Sequence, residues 1–172
     1  GAYSFTMCGR LFRTSMLGDA ILDMPDRLPH EDLVATARAL FHANQVAGIP
    51  ESVYYYTINP ASISSNFTAR HIDGLFYALN DWVHQAKTRR MMKALETAIG
   101  QGAERLINTF ALRCVRAPNM TAPEKLALLR DINGRYDQLP VPRGEPAYPG
   151  TRLLARIAST NGEDEAAALR LV

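Results

Sequence analysis

The fold is decided by the stretch IDGLFYALNDWVHQA, residues 72–86. Its apolar side chains recur every three or four residues, which is the spacing of one helix face. The residues of this stripe are Ile72, Leu75, Phe76, Leu79, Trp82, Val83 and Ala86. A stripe this dense is typical of a helix buried against several neighbours. The stretch therefore predicts a central helix, and Thr68 is its expected N-terminal cap.

The apolar stripe is interrupted by the segment KTRR, residues 87–90, and resumes from Met91 to Ile99. An unbroken helix over residues 69–99 would be about 45 Å long, which exceeds the width of a domain of this size. We therefore expect either a kink near Arg89 and Arg90 or a projecting end. The triplet GQG at 100–102 predicts a break, followed by a further helix that closes before Pro118.

Upstream of the central helix, apolar spacing predicts a first helix over residues 5–24 and a second over 30–47. The segment VYYYTI, residues 53–58, is β-branched and aromatic and lies between two prolines. This composition favours a short strand or an extended connector. Because no second good strand candidate exists to pair with it, at most a small ribbon is expected.

Downstream, the sequence TAPE at 121–124 supplies a cap hydroxyl, an early proline and a glutamate that reaches back to the cap amide. It predicts a helix start at Thr121, with the helix ending near Gly134. Residues 139–150 carry four prolines and are expected to form a stiff, extended connector. Two short helices are predicted beyond it, over 151–159 and 163–171.

These elements together predict an all-α fold, a single compact bundle of about five to seven helices with at most a minor extended ribbon. Residues 1–172 are expected to form one helical domain, with a helical core at 5–134, the proline-rich connector at 139–150 and C-terminal helices at 151–171. The side chains expected to be most deeply buried are Leu40, Phe41, Leu75, Phe76, Leu79, Val83, Leu106 and Phe110.

Composition excludes several classes of protein. The chain is 47% hydrophobic and 21% charged, with a formal net charge of +2, which argues against disorder and against a dedicated polyanion binder. It contains no apolar run of about 18 residues, so no membrane span is expected. Cys8 and Cys114 form neither a disulfide framework nor a zinc pattern. We expect a soluble protein of a reducing compartment, either cytoplasmic or delivered into a host cytoplasm.

Arginine supplies 16 of the 19 basic residues. A GC-rich genome explains this skew, and a sharper interpretation is a bacterial protein that works inside a eukaryotic cell and avoids ubiquitin attachment by avoiding lysine. The chain begins at Gly1 rather than at Met. We interpret it as a fragment of a larger protein.

No phosphate-binding loop, dinucleotide fingerprint, zinc-protease helix, nucleophile elbow or calcium loop is present, and no cofactor is predicted. The helical phase of Cys114 predicts a buried thiol. The four histidines are interpreted as ordinary polar-face residues, so no metal site is predicted. Asp73 and Asp81, with His84, are expected on a solvated helix flank, and a general acid–base pair is the alternative. Catalytic residues stay unknown.

Two features favour an interaction surface. Arg89, Arg90 and Lys93, extended by Arg105, form a local basic cluster where the long helix loses its apolar stripe. The second feature is the run of tyrosines, which can anchor an interface because each buries a ring and keeps a polar tip. The predicted interaction residues are Tyr54, Tyr55, Tyr56, Arg89, Arg90 and Lys93, and the 139–150 connector is their expected neighbour.

The sequence therefore favours a helical protein–protein interaction or adaptor domain of a larger bacterial protein, with a host-delivered effector as one form of it. Another protein is the expected partner, and a nucleic acid or an anionic lipid is the alternative partner. Two other functions stay open: a motif-poor α-helical transferase or ubiquitin-ligase-type enzyme, and a helical RNA-binding or coat-type subunit. The sequence does not decide whether the chain is an enzyme.

Overall fold

The regular structure of the chain is helical. The computed structural model describes residues 6–16, 18, 23–51, 53–55, 57, 67–143 and 145–160. Within these ranges there is one short 3₁₀ helix, Thr14–Met16, no strand, and five α-helices. The α-helices are α1 (Glu31–His42), α2 (Ala69–Thr88), α3 (Met92–Arg116), α4 (Ala122–Asp137) and α5 (Pro149–Ser159). The predicted all-α fold is confirmed.

One continuous cluster of buried side chains draws on all five α-helices, with Val34, Leu75, Ile107, Leu129 and Leu154 each almost fully buried. The helix α1 packs on α2, and α3 contacts α2, α4 and α5, so α3 joins the two halves of the structure. The stripe of α2 is buried as predicted, because it faces α1 on one side and α3 on the other.

Five of the eight residues expected to be most deeply buried are so, at no more than 5% exposure: Leu75, Phe76, Leu79, Val83 and Phe110. The expectation is wrong for Leu40, Phe41 and Leu106, which are only half-buried. Leu40 and Phe41 lie near the end of α1, where they line an open groove. Their apolar spacing predicted the correct helix face, but no element of the described chain covers that part of it.

The predicted first helix over 5–24 is wrong for its described residues, where only Thr14–Met16 is helical, as a 3₁₀ turn. Leu11, part of the apolar stripe behind that prediction, is fully exposed. Met7 and Phe12 of the same stripe do pack against Ala35 and Ala39 of α1, so the described part of the stripe does not present one continuous buried face, which a short helix needs. The second helix ends at His42 rather than at residue 47, because Ala43 turns to an extended conformation. The predicted helix at 163–171 lies outside the described residues.

The predicted break at residues 100–102 is also wrong, because α3 runs through it. Both glycines serve close packing. A Cβ at Gly100 would lie 2.7 Å from the carbonyl oxygen of Pro142, and a Cβ at Gly102 would lie 3.2 Å from the ring of Trp82. Here glycine permits close approach within a helix instead of ending it. Likewise, α4 continues through Gly134 to Asp137.

At Arg89 and Arg90, where a kink or a projecting end is expected, the structure has two separate helices, α2 and α3. Arg90 has a left-handed backbone (φ 58°), and the Met91 amide donates to the Ala86 carbonyl at 2.8 Å, which closes α2 in the manner of a Schellman motif. The predicted start of α4 is confirmed. The Thr121 amide donates to the Glu124 carboxylate at 2.7 Å, and the Glu124 amide donates to the Thr121 hydroxyl at 3.5 Å.

The described residues between α4 and α5 have no helical structure, and several contact α3. The Ala147 amide donates to the Glu104 carboxylate at 2.9 Å, and Arg105 donates to the Tyr148 hydroxyl at 3.1 Å. The Gly150 amide, at the start of α5, donates to the Asn108 side chain at 2.8 Å. This proline-rich connector is therefore attached to one face of α3 by polar contacts.

Candidate functional site

An apolar groove of about 300 Å³ opens between α1, α2 and the first half of α3. All the residues that line it are apolar or glycine: Ala37, Leu40, Phe41, Trp82, Met91, Leu95, Ala98, Ile99 and Gly102. The α3 members recur at helical spacing and form one stripe. We call this feature the apolar groove. Sequence reasoning assigned these residues to buried helix faces, except Gly102, which it assigned to a break. The signal that could have found the groove is that the resumed apolar stripe begins at Met91, after α2 has ended.

The floor of the apolar groove is the ring of Trp82, which is 4% exposed. Its indole N–H donates to the Leu33 carbonyl of α1 at 3.1 Å. The ring also packs closely against Gly102 of α3. Because its polar atom is satisfied and its ring touches both neighbouring helices, Trp82 holds a fixed position. The groove is therefore a preformed feature of the fold.

The helix junction at Arg89 and Arg90 lies at one end of the apolar groove, because the next residue, Met91, is part of the lining. The Arg89 guanidinium donates to the ring of His42, at the end of α1. The His42 Nδ1 atom lies 2.8 Å from the Arg38 carbonyl and is the donor there, which leaves Nε2 as the acceptor for Arg89. Arg89 thus bridges the ends of α1 and α2.

Lys87, Arg90 and Lys93 are exposed, and within the described ranges none of the three has a carboxylate within ion-pair distance. Lys93 does not line the apolar groove. At 3.6 residues per turn it lies on the opposite side of α3 from Met91 and Leu95. Of the predicted basic cluster, Arg89 and Arg90 therefore adjoin the groove, whereas Lys93 faces away from it.

The two described tyrosines of the run, Tyr54 and Tyr55, belong to no helix or strand. Tyr55 is 87% exposed and Tyr54 is half-exposed, with its Cβ next to Gly9. Tyr56 lies outside the described residues. Tyr54 lies next to Gly9, whereas Arg89 contacts His42. A single surface that includes both the tyrosines and the arginines stays a prediction.

Two of the four histidines are not polar-face residues, and that interpretation is corrected for them. The rings of His30 and His71 lie 5.4 Å apart, centroid to centroid, and both contact aromatic rings: His30 that of Phe110 and His71 that of Phe67. His71 is 4% exposed and its Nδ1 accepts from the Thr68 amide at 3.1 Å. Burial, with the nearby charges of His71 and Arg113, lowers the pKa of His30 to about 4. His84 is exposed, as expected.

The expected solvated flank is correct for Asp73, which is exposed and pairs with Arg135 at 2.8 Å. It is wrong for Asp81, which is 9% exposed and accepts three hydrogen bonds from Arg38, at 2.8, 3.0 and 3.2 Å. These bonds raise the pKa of Arg38. Asp81 and His84 line the same polar recess. Because the carboxylate of Asp81 is held by a guanidinium, it is unsuited to act as a general base there.

Cys114 is fully buried, as predicted, and its thiol donates to the Lys125 carbonyl at 3.6 Å. Burial raises the pKa of this thiol to about 11, so it stays protonated at neutral pH. The described part of the chain contains no group of three His, Cys, Asp or Glu side chains placed to hold a metal ion. None of its helices is long and apolar enough to cross a membrane.

No protein-family model, no curated protein and no solved structure matches this chain.

Proposed function

We propose that this chain is a protein–protein interaction domain whose apolar groove takes an amphipathic helix of another protein. The observation that supports it is the groove itself: an open surface lined by apolar residues and glycine, with a fixed tryptophan at its floor. The space amounts to on the order of ten water molecules against apolar walls, and their release on binding would be favourable. Exposed apolar surface of this kind is typical of interaction sites.

The lining favours a protein partner over a small molecule. Sites for small molecules combine apolar walls with a few polar groups that fix the orientation of the ligand. The lining of the apolar groove offers no polar side chain except the indole N–H of Trp82, and that group already donates to Leu33. A partner that inserts several apolar side chains at once needs no such groups.

The architecture favours a helix as the inserted element. The walls of the apolar groove are the helices α1 and α3, and a helix laid between them would present side chains at i, i+3, i+4 and i+7 to the floor. Addition of a strand requires an exposed sheet edge, and the described ranges contain no strand. The candidate catalytic groups do not favour an enzyme over a binding domain, since Asp81 is held by Arg38 and the Cys114 thiol stays protonated.

The test is a selection of displayed helical peptides on the whole chain. A library of amphipathic peptides of about 16 residues carries Leu, Ile, Met or Phe at four positions of one face, and Glu, Gln or Lys at the flanking positions. Selected peptides are then titrated against the free protein. Trp82 is the chain's only tryptophan, so its fluorescence reports occupation of the groove directly.

The deciding variant is Ala98→Glu, which places a charge in the lining at an exposed position of α3. Ala94→Glu makes the same change at an exposed residue outside the lining and is the matched control. We expect selected peptides to change Trp82 emission, to lose at least tenfold in affinity with Ala98→Glu, and to bind Ala94→Glu as they bind the wild type. If no peptide is selected, or if both variants bind equally well, the proposed function is wrong.

A further inference from the structure

We propose that the helix taken by the apolar groove carries carboxylates on the edge that meets Arg89 and Arg90, so that the partner is an acidic amphipathic helix. This inference rests on the proposed function and specifies its partner. It starts from the basic turn between α2 and α3. Both arginines are exposed and both adjoin the same end of the groove.

Arg89 is positioned for a carboxylate. Its guanidinium is held by His42, which is itself held by the Arg38 carbonyl. A guanidinium has five N–H donors in a planar fork that matches a carboxylate, and the contact with His42 leaves most of them available. Because the side chain is already oriented, less conformational entropy is lost when a carboxylate binds.

The backbone of Arg90 gives an independent indication. At φ 58° this position favours glycine or asparagine, and a side chain like that of arginine strains it. Arg90 is exposed and has no ion pair with a described carboxylate. Glycine at this position would close α2 equally well and without strain. Its charge beside Met91 and the apolar groove is the property that a partner can use.

An acidic helix fits these observations better than a nucleic acid. A phosphate backbone would satisfy the two arginines but would leave the apolar groove beside them empty. The chain's net charge of +2 also provides little long-range attraction for a polyanion. An amphipathic helix fills the groove with its apolar face and brings carboxylates to the turn along one flank.

The first readout is the frequency of each residue type at the flanking positions of the selected peptides, because the library draws these positions equally from Glu, Gln and Lys. We expect Glu to be enriched and Lys to be depleted on the flank next to the turn. A selected peptide with Glu there should bind roughly fivefold more tightly than the same peptide with Gln, and added salt should narrow this difference.

The double variant Arg89→Gln with Arg90→Asn removes both charges, and asparagine tolerates the left-handed backbone at position 90. It should bind the Glu and Gln peptides with equal affinity, so that the preference for Glu disappears. Lys93→Gln removes a charge on the far side of α3 and is the matched control, expected to keep the preference.

The outcomes separate the two proposals. If selected peptides bind and depend on Ala98 but show no preference for Glu, the acidic partner is wrong and the proposed function stands. If nothing binds in the groove, both are wrong.

If light scattering shows a dimer that Ala98→Glu dissociates and Ala94→Glu does not, the occupant is a second copy of this chain. If a uridine oligonucleotide binds through Arg89 and Arg90 without changing Trp82 emission, the turn binds nucleic acid. Each of the last two results overturns the acidic helix.

Discussion

Both ends of the α1–α2 pair contain apolar and aromatic side chains, but further residues cover these side chains at only one end. At the end where both helices begin, aromatic rings and His30 pack against His71 and Phe110, and Gly74 lets the Pro29 backbone lie directly on α2. We call this the closed end. At the opposite end the apolar groove exposes Phe41 and Met91, and a basic turn follows. We call this the open end.

The proposed function places stability mainly at the closed end and binding at the open end. The closed end buries histidine side chains, and each histidine or phenylalanine ring there contacts another ring. The open end has apolar side chains of the same kind but no further element of the described chain to cover them. Apolar surface that a fold leaves uncovered next to charge is more informative about function than apolar surface inside a core.

The largest effect is expected at the ion pair between the two ends. Arg38 and Asp81 join α1 to α2, and both side chains are less than a tenth exposed. Asp81→Asn leaves the guanidinium buried without its counter-charge and should lower the free energy of unfolding by about 3–5 kcal/mol, measured by urea denaturation. The apolar double variant Arg38→Met with Asp81→Leu should recover most of this loss. If Asp81→Asn costs less than 1 kcal/mol, the pair does not hold the helices together.

Glycine substitutions compare the two ends directly. A Cβ at Gly74, in the closed end, would overlap the carbonyl oxygen of Pro29, so Gly74→Ala must displace backbone and should cost about 3 kcal/mol. At the open end a Cβ at Gly102 would meet only the side chain of Trp82, at 3.2 Å, so a shift of a few tenths of an ångström relieves the contact. The gain in helix propensity offsets the contact there, so Gly102→Ala should stay within about 1 kcal/mol of the wild type. Equal losses in thermal unfolding would contradict the comparison.

The sequence predicted those parts of the fold that depend on local rules. The stripe of α2 and the cap at Thr121 each follow from neighbouring residues alone, whereas the disruption at Arg89 and Arg90 follows from the length of an unbroken helix relative to the width of the domain. The glycines of α3 were interpreted as a break because their purpose, room for Pro142 and for Trp82, lies in segments distant along the chain.

The same limit applies to the candidate site. The basic residues beside the groove could be found as a cluster of charge, but the apolar lining could not be told from a core, since Leu95 and Leu75 have the same spacing and differ only in what covers them. The histidines of the closed end were missed for a related reason. A helix flank predicted to be polar became buried when Phe67 and Phe110 packed on it.

Titration of His30 tests the closed end alone. Its pKa of about 4 in the folded chain lies below the ordinary value of 6.5, so the unfolded chain binds the proton more readily. Stability from this group is therefore complete above pH 6.5 and is lost as the pH falls towards 4. With the partial solvent contact of the ring taken into account, we expect a loss of about 1.5 kcal/mol between pH 7 and pH 4.5.

The control for this titration is His30→Asn, because asparagine tolerates the left-handed backbone at that position (φ 64°) and does not titrate. The groups that face His30 are His71 of α2 and Arg113 of α3, and both stay in place in this variant. Urea denaturation at a series of pH values should show a weaker dependence above pH 5, where most carboxylates are still ionised. An unchanged pH dependence would mean that His30 is not the buried group that responds.

The smallest effect is expected at Thr121, the N-terminal cap of α4. Two residues earlier, the Asn119 side chain donates to the Phe67 carbonyl of the closed end at 3.2 Å. Thr121→Ala removes the hydroxyl that accepts from the Glu124 amide and should cost about 1 kcal/mol, whereas Thr121→Ser keeps the acceptor and should cost less than half of that. Because α4 contributes no residue to the apolar groove, peptide binding followed by Trp82 fluorescence should be the same in both variants at temperatures where they are folded. A loss of groove binding in folded Thr121→Ala would mean that the closed end controls the open end, and that the two ends form one cooperative unit.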